Sequence, residues 1–166
     1  MFKVNDVVVH YRDGLAVITG TANMSGIDYF TLKAKRTNNV AIYVPVANAT
    51  KIIRPVMDKE NADGILMYML SLEEEFNANT KQRRDDFKRR IASGNILDIV
   101  YLVKQLYLYE TAEQLPDKVK FGPVDFDILE SAKNMLLDEL AITYEVDREE
   151  ITSFIDKRMK QLEKDM

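Results

Sequence analysis

Residues 81–94, KQRRDDFKRRIASG, carry six basic side chains in their first ten positions, although the 166-residue chain has a net charge of −4. Phe87 and Ile91 stand four residues apart and give the stretch one thin apolar seam, the spacing of a single helix face. Gly94 is typical of the position just past a helix, and Asn95 is typical of the start of the next one. The stretch predicts a short, positively charged helix followed directly by a second helix.

The charge of this basic helix has two interpretations. Asp85 and Asp86 each precede an arginine by four residues, a spacing that stabilises a solvated helix by roughly 0.2–0.5 kcal/mol per pair. Lys81, Arg84 and Lys88 form a stripe on one side, with only Asp85 near them. Such a stripe suits contact with an anion, and nucleic acid is the obvious candidate. A solvated surface helix and a nucleic-acid contact both stay open here.

The composition excludes several classes of protein. No apolar run approaches the roughly 20 residues of a membrane span, and no secretory leader pattern opens the sequence, so we expect a cytoplasmic protein with no membrane partner. The chain has no cysteine and a single histidine, His10, which excludes disulfides, thiolate metal sites and a histidine-based metal cluster or triad within one chain. We expect His10 to be a turn or surface residue. Nucleotide-binding, hydrolase and zinc-protease motifs are missing, so we predict no enzyme, cofactor or metal site.

Charge is unevenly distributed along the chain. Residues 1–54 carry seven Lys/Arg against three Asp/Glu, whereas residues 55–166 carry sixteen against twenty-four. The basic segment at 81–90 is therefore an island in an acidic region. This distribution favours a small anionic footprint over the wrapping of a polyanion.

The N-terminal part of the chain has the pattern of short strands. β-Branched or aromatic runs at 7–9, 15–18, 29–32 and 40–44 predict four strands. They are separated by turn pairs, which are Asp13-Gly14, Ser25-Gly26 and Asn38-Asn39. Short strands with tight turns suggest a small barrel or a strongly bent antiparallel sheet, since a flat sheet of this size would leave both faces wet.

The fourth predicted strand has the features of an edge strand. Pro45 has no N–H to donate to a ladder, so the strand ends there or lies at an edge. Alternation places Val40, Ile42 and Val44 on one face and Ala41 and Tyr43 on the other. An edge strand can accept a partner's strand. A capped edge that binds nothing is the alternative.

From Asp58 onward the hydrophobic period becomes helical. We predict a bundle of about five helices: one after Asp58, the basic helix with its start at 77–80, a hydrophobic central helix at 96–109, and two more. The last two are predicted to open at the boxes Asp127-x-x-Glu130 and Asp147-x-x-Glu150. The predicted fold is therefore α+β, with a β domain at 1–56 and a helical domain at 57–166.

The order and spacing of several short segments give the sequence a resemblance to a known family. These segments are Met1-Phe2-Lys3-Val4, Val44-Pro45, Ile53-Arg54-Pro55, Lys81-Gln82-Arg83, Ser93-Gly94-Asn95-Ile96, Val103-Lys104-Gln105-Leu106 and Glu139-Leu140-Ala141. Together they resemble the CarD/CdnL family of bacterial transcription regulators over almost the whole chain. The resemblance implies a Tudor-like (SH3-like) barrel, related to the polymerase-interacting domain of the transcription-repair coupling factor, that binds the RNA polymerase β subunit. It also implies a helical domain that touches promoter DNA beside the melted bubble and stabilises the open complex.

The resemblance implies two sets of contact residues. The expected polymerase contacts are Leu32, Val40, Ile42, Tyr43 and Val44. The expected DNA contacts are Thr80, Lys81, Arg83, Arg84 and Lys88. Family members commonly carry a tryptophan at the position of Thr80 that wedges into the minor groove, and a threonine cannot supply that unstacking contact. Phe87 is an alternative wedge. We therefore expect weak, non-sequence-specific contacts to phosphates.

Two functions remain open on the sequence. The first is a monomeric, polymerase-bound transcription regulator whose basic helix contacts promoter DNA. The second is an adaptor that docks through the same barrel but whose helical domain binds a protein partner, with the basic helix merely solvated.

Overall fold

The computed structural model describes residues 1–36, 40–117 and 119–166. The chain divides into two compact units, Met1–Met57 and Asp58–Met166. The first unit contains the strands and the second contains the long helices. The predicted turn at Asn38-Asn39 lies outside the described residues.

Five strands form one antiparallel sheet in the first unit. They are β1 (Val7–His10), β2 (Gly14–Met24), β3 (Ile27–Ala34), β4 (Ala41–Pro45) and β5 (Ile53–Pro55). Their order across the sheet is β4-β3-β2-β1-β5. Gly14 lies at φ 74°, and Ser25 and Gly26 lie at φ 52° and 81°. Two successive residues with positive φ, as at Ser25 and Gly26, are typical of a two-residue hairpin. Gly14 pairs with His10, and Met24 pairs with Ile27, so the structure confirms both predicted turns.

In the part of the chain that the structure describes, the sheet is open, so the prediction of a barrel is wrong, whereas the antiparallel sheet named as its alternative is observed. β4 and β5 lie at the two edges. A short helix, α1 (Ala49–Ile52), connects them after a 3-10 turn. Ala49 belongs to the buried cluster on one sheet face, and Phe2 and Ile52 pack against that cluster. Because α1 and the N-terminal segment cover this face, the sheet buries its apolar side chains without closing.

Five helices build the second unit. They are α2 (Lys59–Ser71), α3 (Thr80–Ser93), α4 (Ile96–Thr111), α5 (Pro123–Tyr144) and α6 (Ile151–Lys164). With α1, which lies in the first unit, the described residues contain six helices, whereas about five were predicted, all in the helical domain. None of these helices is long and apolar enough to cross a membrane.

Local capping sets the first helix boundaries, as predicted. The side chains of Asp58, Asn79 and Asn95 each accept a backbone N–H at the start of α2, α3 and α4. Gly94 ends α3 in the left-handed conformation, at φ 67°. A residue with a Cβ is strained there, which is why glycine is common at this position.

α5 begins four residues earlier than predicted. Pro123 is its first residue, a position where the missing N–H costs nothing. The carboxylate of Asp125 accepts a hydrogen bond from the Gly122 N–H at 3.0 Å. The predicted box at 127–130 therefore lies inside the helix. The predicted box at 147–150 supplies no side-chain cap either, because α6 begins only at Ile151.

α4 packs against α2, α3 and α5, as expected of a central helix. Its buried face includes two polar residues. Tyr107 is 54% exposed, whereas Lys104 and Gln105 are buried. Gln105 Nε2 donates to the backbone oxygen of Glu75, and Lys104 Nζ lies 3.9 Å from Glu74 Oε1. These polar side chains attach α4 to the extended segment that precedes α3.

A charged network joins α2, α5 and α6. Arg158 donates to both carboxylate oxygens of Asp63, at 3.0 and 2.6 Å, and the Tyr144 hydroxyl donates to the same carboxylate at 2.7 Å. The Arg158 hydrogen bonds hold the pKa of Asp63 below its ordinary value, although burial opposes them. Burial, followed by the hydrogen bond to Asp63, raises the pKa of Tyr144.

The Asp63 network predicts an acid-sensitive part of the stability. Since the folded-state pKa of Asp63 is lowered, its contribution is present above the unfolded pKa and is lost as the pH falls through the folded pKa. We expect Asp63→Asn to lower the free energy of unfolding by about 1–3 kcal/mol near neutral pH. The difference from wild type should shrink below about pH 4. Urea denaturation near neutral pH and below about pH 4 measures this difference in the free energy of unfolding. Asp156→Asn on the exposed side of α6 is the control. An equal difference at both pH values would contradict this assignment.

Candidate polymerase and DNA contact surfaces

β4 presents one side of its backbone at the edge of the sheet. In the described residues it pairs with β3 alone, in a register that sets Val44 opposite Phe30 and Tyr43 opposite Thr31. Tyr43 is 50% exposed, and the Tyr29 ring meets it edge to face at 6.4 Å between centroids. Edge backbone groups beside an exposed aromatic side chain form a surface that a partner strand can extend.

Two of the predicted polymerase contacts are corrected by the structure. Leu32 is 1% exposed and Val44 is 0% exposed, because both belong to the buried cluster of the first unit. Ile42 is half-buried against the same cluster. Side chains that fill the core cannot reach a partner surface. Of the predicted set, Val40 and Tyr43 are the exposed members.

α3 exposes only part of its positive charge. Thr80, Lys81 and Lys88 are exposed. In the described part of the chain, neither Lys81 nor Lys88 forms an ion pair. These two ammonium groups are therefore available to an external anion.

Arg83 faces inward, so its prediction as a phosphate contact is wrong. Its side chain is 1% exposed. The guanidinium donates to the backbone oxygens of Asn77 and Lys120, each at 3.0 Å, and Nη2 lies 3.6 Å from Asp125 Oδ2. This arginine joins α3 to the segment before it and to the loop before α5.

Arg84 is partly drawn toward the same carboxylate. Its Nε lies 3.8 Å from Asp125 Oδ1, and its side chain is 37% exposed. Neither of these two buried atoms has a hydrogen-bond partner. The position allows Arg84 only a partial contribution to an external contact, because Asp125 competes for its charge.

An aromatic cluster lies under the start of α3, with Phe121 at its centre. The Phe121 ring stacks on Tyr109 at 4.2 Å and meets Phe87 edge to face at 5.7 Å. The Arg83 guanidinium carbon lies 5.0 Å from the Phe121 centroid. Phe87 is 0% exposed. It fills the core and cannot act as the alternative wedge.

The remaining arginines of α3 are neutralised within the bundle. Asp86 pairs with Arg90 at 2.8 Å, as predicted, but also with Arg89 at 2.6 Å, so the predicted Asp85–Arg89 pair is wrong. Burial raises the pKa of Asp86, but hydrogen bonds from Arg90 and Arg89 outweigh it and leave the pKa lowered. Arg90 also pairs with Asp98 of α4 at 2.8 Å. On this flank of α3 two arginines are therefore paired with two carboxylates of the same unit.

His10 is a buried turn residue, so the surface alternative is wrong. It is 3% exposed, and its Nδ1 accepts the backbone N–H groups of Arg12 and Asp13. Burial lowers its pKa. Because Nδ1 is an acceptor, the imidazole is neutral and its role is structural. Across the described residues, no group of three or more histidine, aspartate or glutamate side chains could hold a metal ion.

Comparison with known families covers both units. The family described as CarD-like/TRCF RID domain matches residues 2–57, and the family described as CarD, C-terminal domain, matches residues 64–156. The chain belongs to the CarD family. CarD proteins are RNA-polymerase-interacting transcription factors, so the expected resemblance is confirmed. The first match covers nearly the whole of the sheet unit, Met1–Met57.

The CarD sheet unit also offers contacts that sequence reasoning missed. On β3, Phe30 and Leu32 are buried while the alternating Thr31 and Lys33 face outward, and these two lie opposite Tyr43 and Ala41 of β4. The alternation in the sequence could have identified them, since residues of one face recur at every second position. The outer surface at this edge thus combines Tyr43 with a hydroxyl and an ammonium group.

Proposed function

We propose that this CarD-family protein docks on the RNA polymerase β subunit through the edge of β4 and stabilises the promoter open complex through phosphate contacts of α3. It acts without catalysis, as a monomer in the cytoplasm. The observation that supports this proposal is the separation of two surfaces, an exposed strand edge in one unit and exposed unpaired cations in the other.

The polymerase side of the proposal depends on strand addition. A partner strand beside β4 would satisfy its outward backbone groups, and main-chain hydrogen bonds would supply much of the affinity. Tyr43 lies on the outward face of the same strand. An exposed tyrosine offers a large contact area at low entropic cost, which makes it the expected hot spot.

The proposed DNA-contacting surface contains few cationic side chains. Lys81 and Lys88 are the free cations of α3 in the described structure, Arg84 contributes in part, and Thr80 is exposed at the first turn. Lysines at this density position a phosphate backbone without reading bases. Docking on polymerase raises the effective concentration of nearby DNA to about the millimolar range, so that a few contacts suffice.

The lifetime of the promoter open complex tests this proposal. We expect the double variant Lys81→Glu, Lys88→Glu to shorten it roughly five- to tenfold, as expected for the loss of two charge contacts of about 0.5–0.7 kcal/mol each. Affinity for polymerase should not change. Arg84 is left intact because a glutamate beside Asp125 would bring two carboxylates together. The matched control is Lys157→Glu, Lys160→Glu on the exposed side of α6.

Two results would contradict the proposal. An unchanged lifetime would favour the adaptor, whose helical unit binds a protein. Tight binding of the purified chain to random DNA in moderate salt, with no polymerase present, would contradict the need for docking. We expect such binding to be feeble and to weaken steeply with salt.

A further inference from the structure

The loop before α5 lies against the first turns of α3. Arg83 Nη2 donates to the Lys120 oxygen at 3.0 Å. A Cβ built on Gly122 would lie 3.4 Å from Arg84 Nη2. The backbone from 120 to 122 is therefore fixed beside two consecutive arginines of this helix.

The loop lies on the cationic flank of α3. At about 100° per residue, Arg84, Lys88 and Lys81 fall within an arc of about 60° on one side of the buried Arg83. Asp86 and Arg90 lie on the opposite flank, where Arg90 reaches Asp98 and stacks 3.7 Å from the Tyr101 centroid. Since α4 occupies that second flank, the contact with Arg84 places the loop beside the exposed lysines.

Lys120 points away from the protein interior. Its neighbours Val119 and Phe121 are 5% and 3% exposed, whereas Lys120 is exposed. Since both neighbours are buried while Lys120 is exposed, the Lys120 side chain is directed outward. Among the described residues no carboxylate pairs with it. Asp125, in the first turn of α5, is buried against Arg83 and Arg84.

We propose that Lys120 is a further phosphate-contacting residue, which extends the cationic surface of α3 onto the loop before α5. The partner is the sugar-phosphate backbone of duplex DNA, and the inference rests on the proposed function. Lys81 and Lys88 contact phosphates from a helix, and Lys120 adds a contact from a second element. Two elements that touch one backbone fix the orientation of the helical unit better than a single helix does.

Charge reversal at Lys120 tests the inference in the full chain bound to polymerase and promoter DNA. We expect Lys120→Glu to shorten the open-complex lifetime roughly two- to fivefold, and Lys120→Arg to leave it near wild type. The effect of Lys120→Glu should diminish as salt rises, because screening weakens a phosphate contact. Lys157→Glu is the matched control for the same change in net charge, and it should leave the lifetime unchanged.

The outcomes separate the inference from the proposed function. If Lys81→Glu, Lys88→Glu shortens the lifetime while Lys120→Glu behaves like Lys157→Glu, the inference is overturned and the proposed function stands. If none of these variants has an effect, the proposed function fails and the inference fails with it. Equal losses in Lys120→Glu and Lys120→Arg at every salt concentration would show a structural role of the loop and would also overturn the inference.

Discussion

Arg83→Ala is expected to lower the free energy of unfolding of the helical unit by about 3–5 kcal/mol, the usual cost of removing one partner from a buried ion pair. The substitution leaves the fully buried Asp125 with only the Gly122 N–H and the distant Arg84 as partners. It also leaves two backbone oxygens, of Asn77 and Lys120, without their donor. The cation contact on the Phe121 ring is lost at the same time.

Denaturant unfolding followed by far-UV circular dichroism measures this loss. Lys88→Ala on the exposed side of the same helix is the control and should stay within about 0.5 kcal/mol of wild type. The double variant Arg83→Met, Asp125→Asn should recover part of the stability, because it removes the uncompensated charge as well as the pair. If Arg83→Ala unfolded at the wild-type midpoint, Arg83 would not link α3 to the loop as the contacts indicate.

The sequence predicts the helix boundaries where the signal is local. Asp58, Asn79 and Asn95 cap the helices that follow them, and Gly94 ends α3. The start of α5 was mispredicted because Pro123 follows Gly122 in a segment with the composition of a loop. Proline suits the first helical turn as well as a loop, and only the Asp125 hydrogen bond distinguishes the two.

Closure of the sheet could not be predicted from strand patterns. A barrel and an open sheet can contain the same short strands, and the difference depends on what covers the inner face. Here that cover comes from Phe2 and from Ala49 and Ile52 of α1. These are long-range contacts that no local pattern encodes.

The candidate surfaces were predictable in part. Charge in the sequence identified Lys81 and Lys88, and strand alternation set Tyr43 on the face opposite the buried Val44. Alternation did not predict the exposure of Val40, because it placed Val40 on the same face as Val44. The inward orientation of Arg83 was not predicted, because its partner Lys120 lies 37 positions away in the sequence. The spacing in the sequence nevertheless indicated a buried position, since Arg83 stands four residues before Phe87 and shares the apolar face of α3.

Tyr43→Ala is expected to weaken binding to the RNA polymerase β subunit by about ten- to thirtyfold, as for an aromatic hot spot worth roughly 1.4–2 kcal/mol. Tyr43 is 50% exposed at the edge strand, and within the described residues its ring packs against another ring only at Tyr29, edge to face. The fold should therefore tolerate the change. Unfolding of the variant should match wild type within about 0.5 kcal/mol.

Tyr11→Ala is the matched control. Tyr11 is 43% exposed in the turn between β1 and β2, away from the β4 edge of the sheet. Its removal deletes the same side chain from the same unit. A loss of affinity shared by both variants would therefore come from a general effect on the unit and not from the edge surface.

The most direct measurement is a titration of the purified RNA polymerase β subunit with the wild-type chain, Tyr43→Ala and Tyr11→Ala. Docking through β4 predicts a dissociation constant about ten- to thirtyfold higher for Tyr43→Ala and unchanged for Tyr11→Ala. Equal affinities for all three chains, or no binding by the wild-type chain, would contradict it.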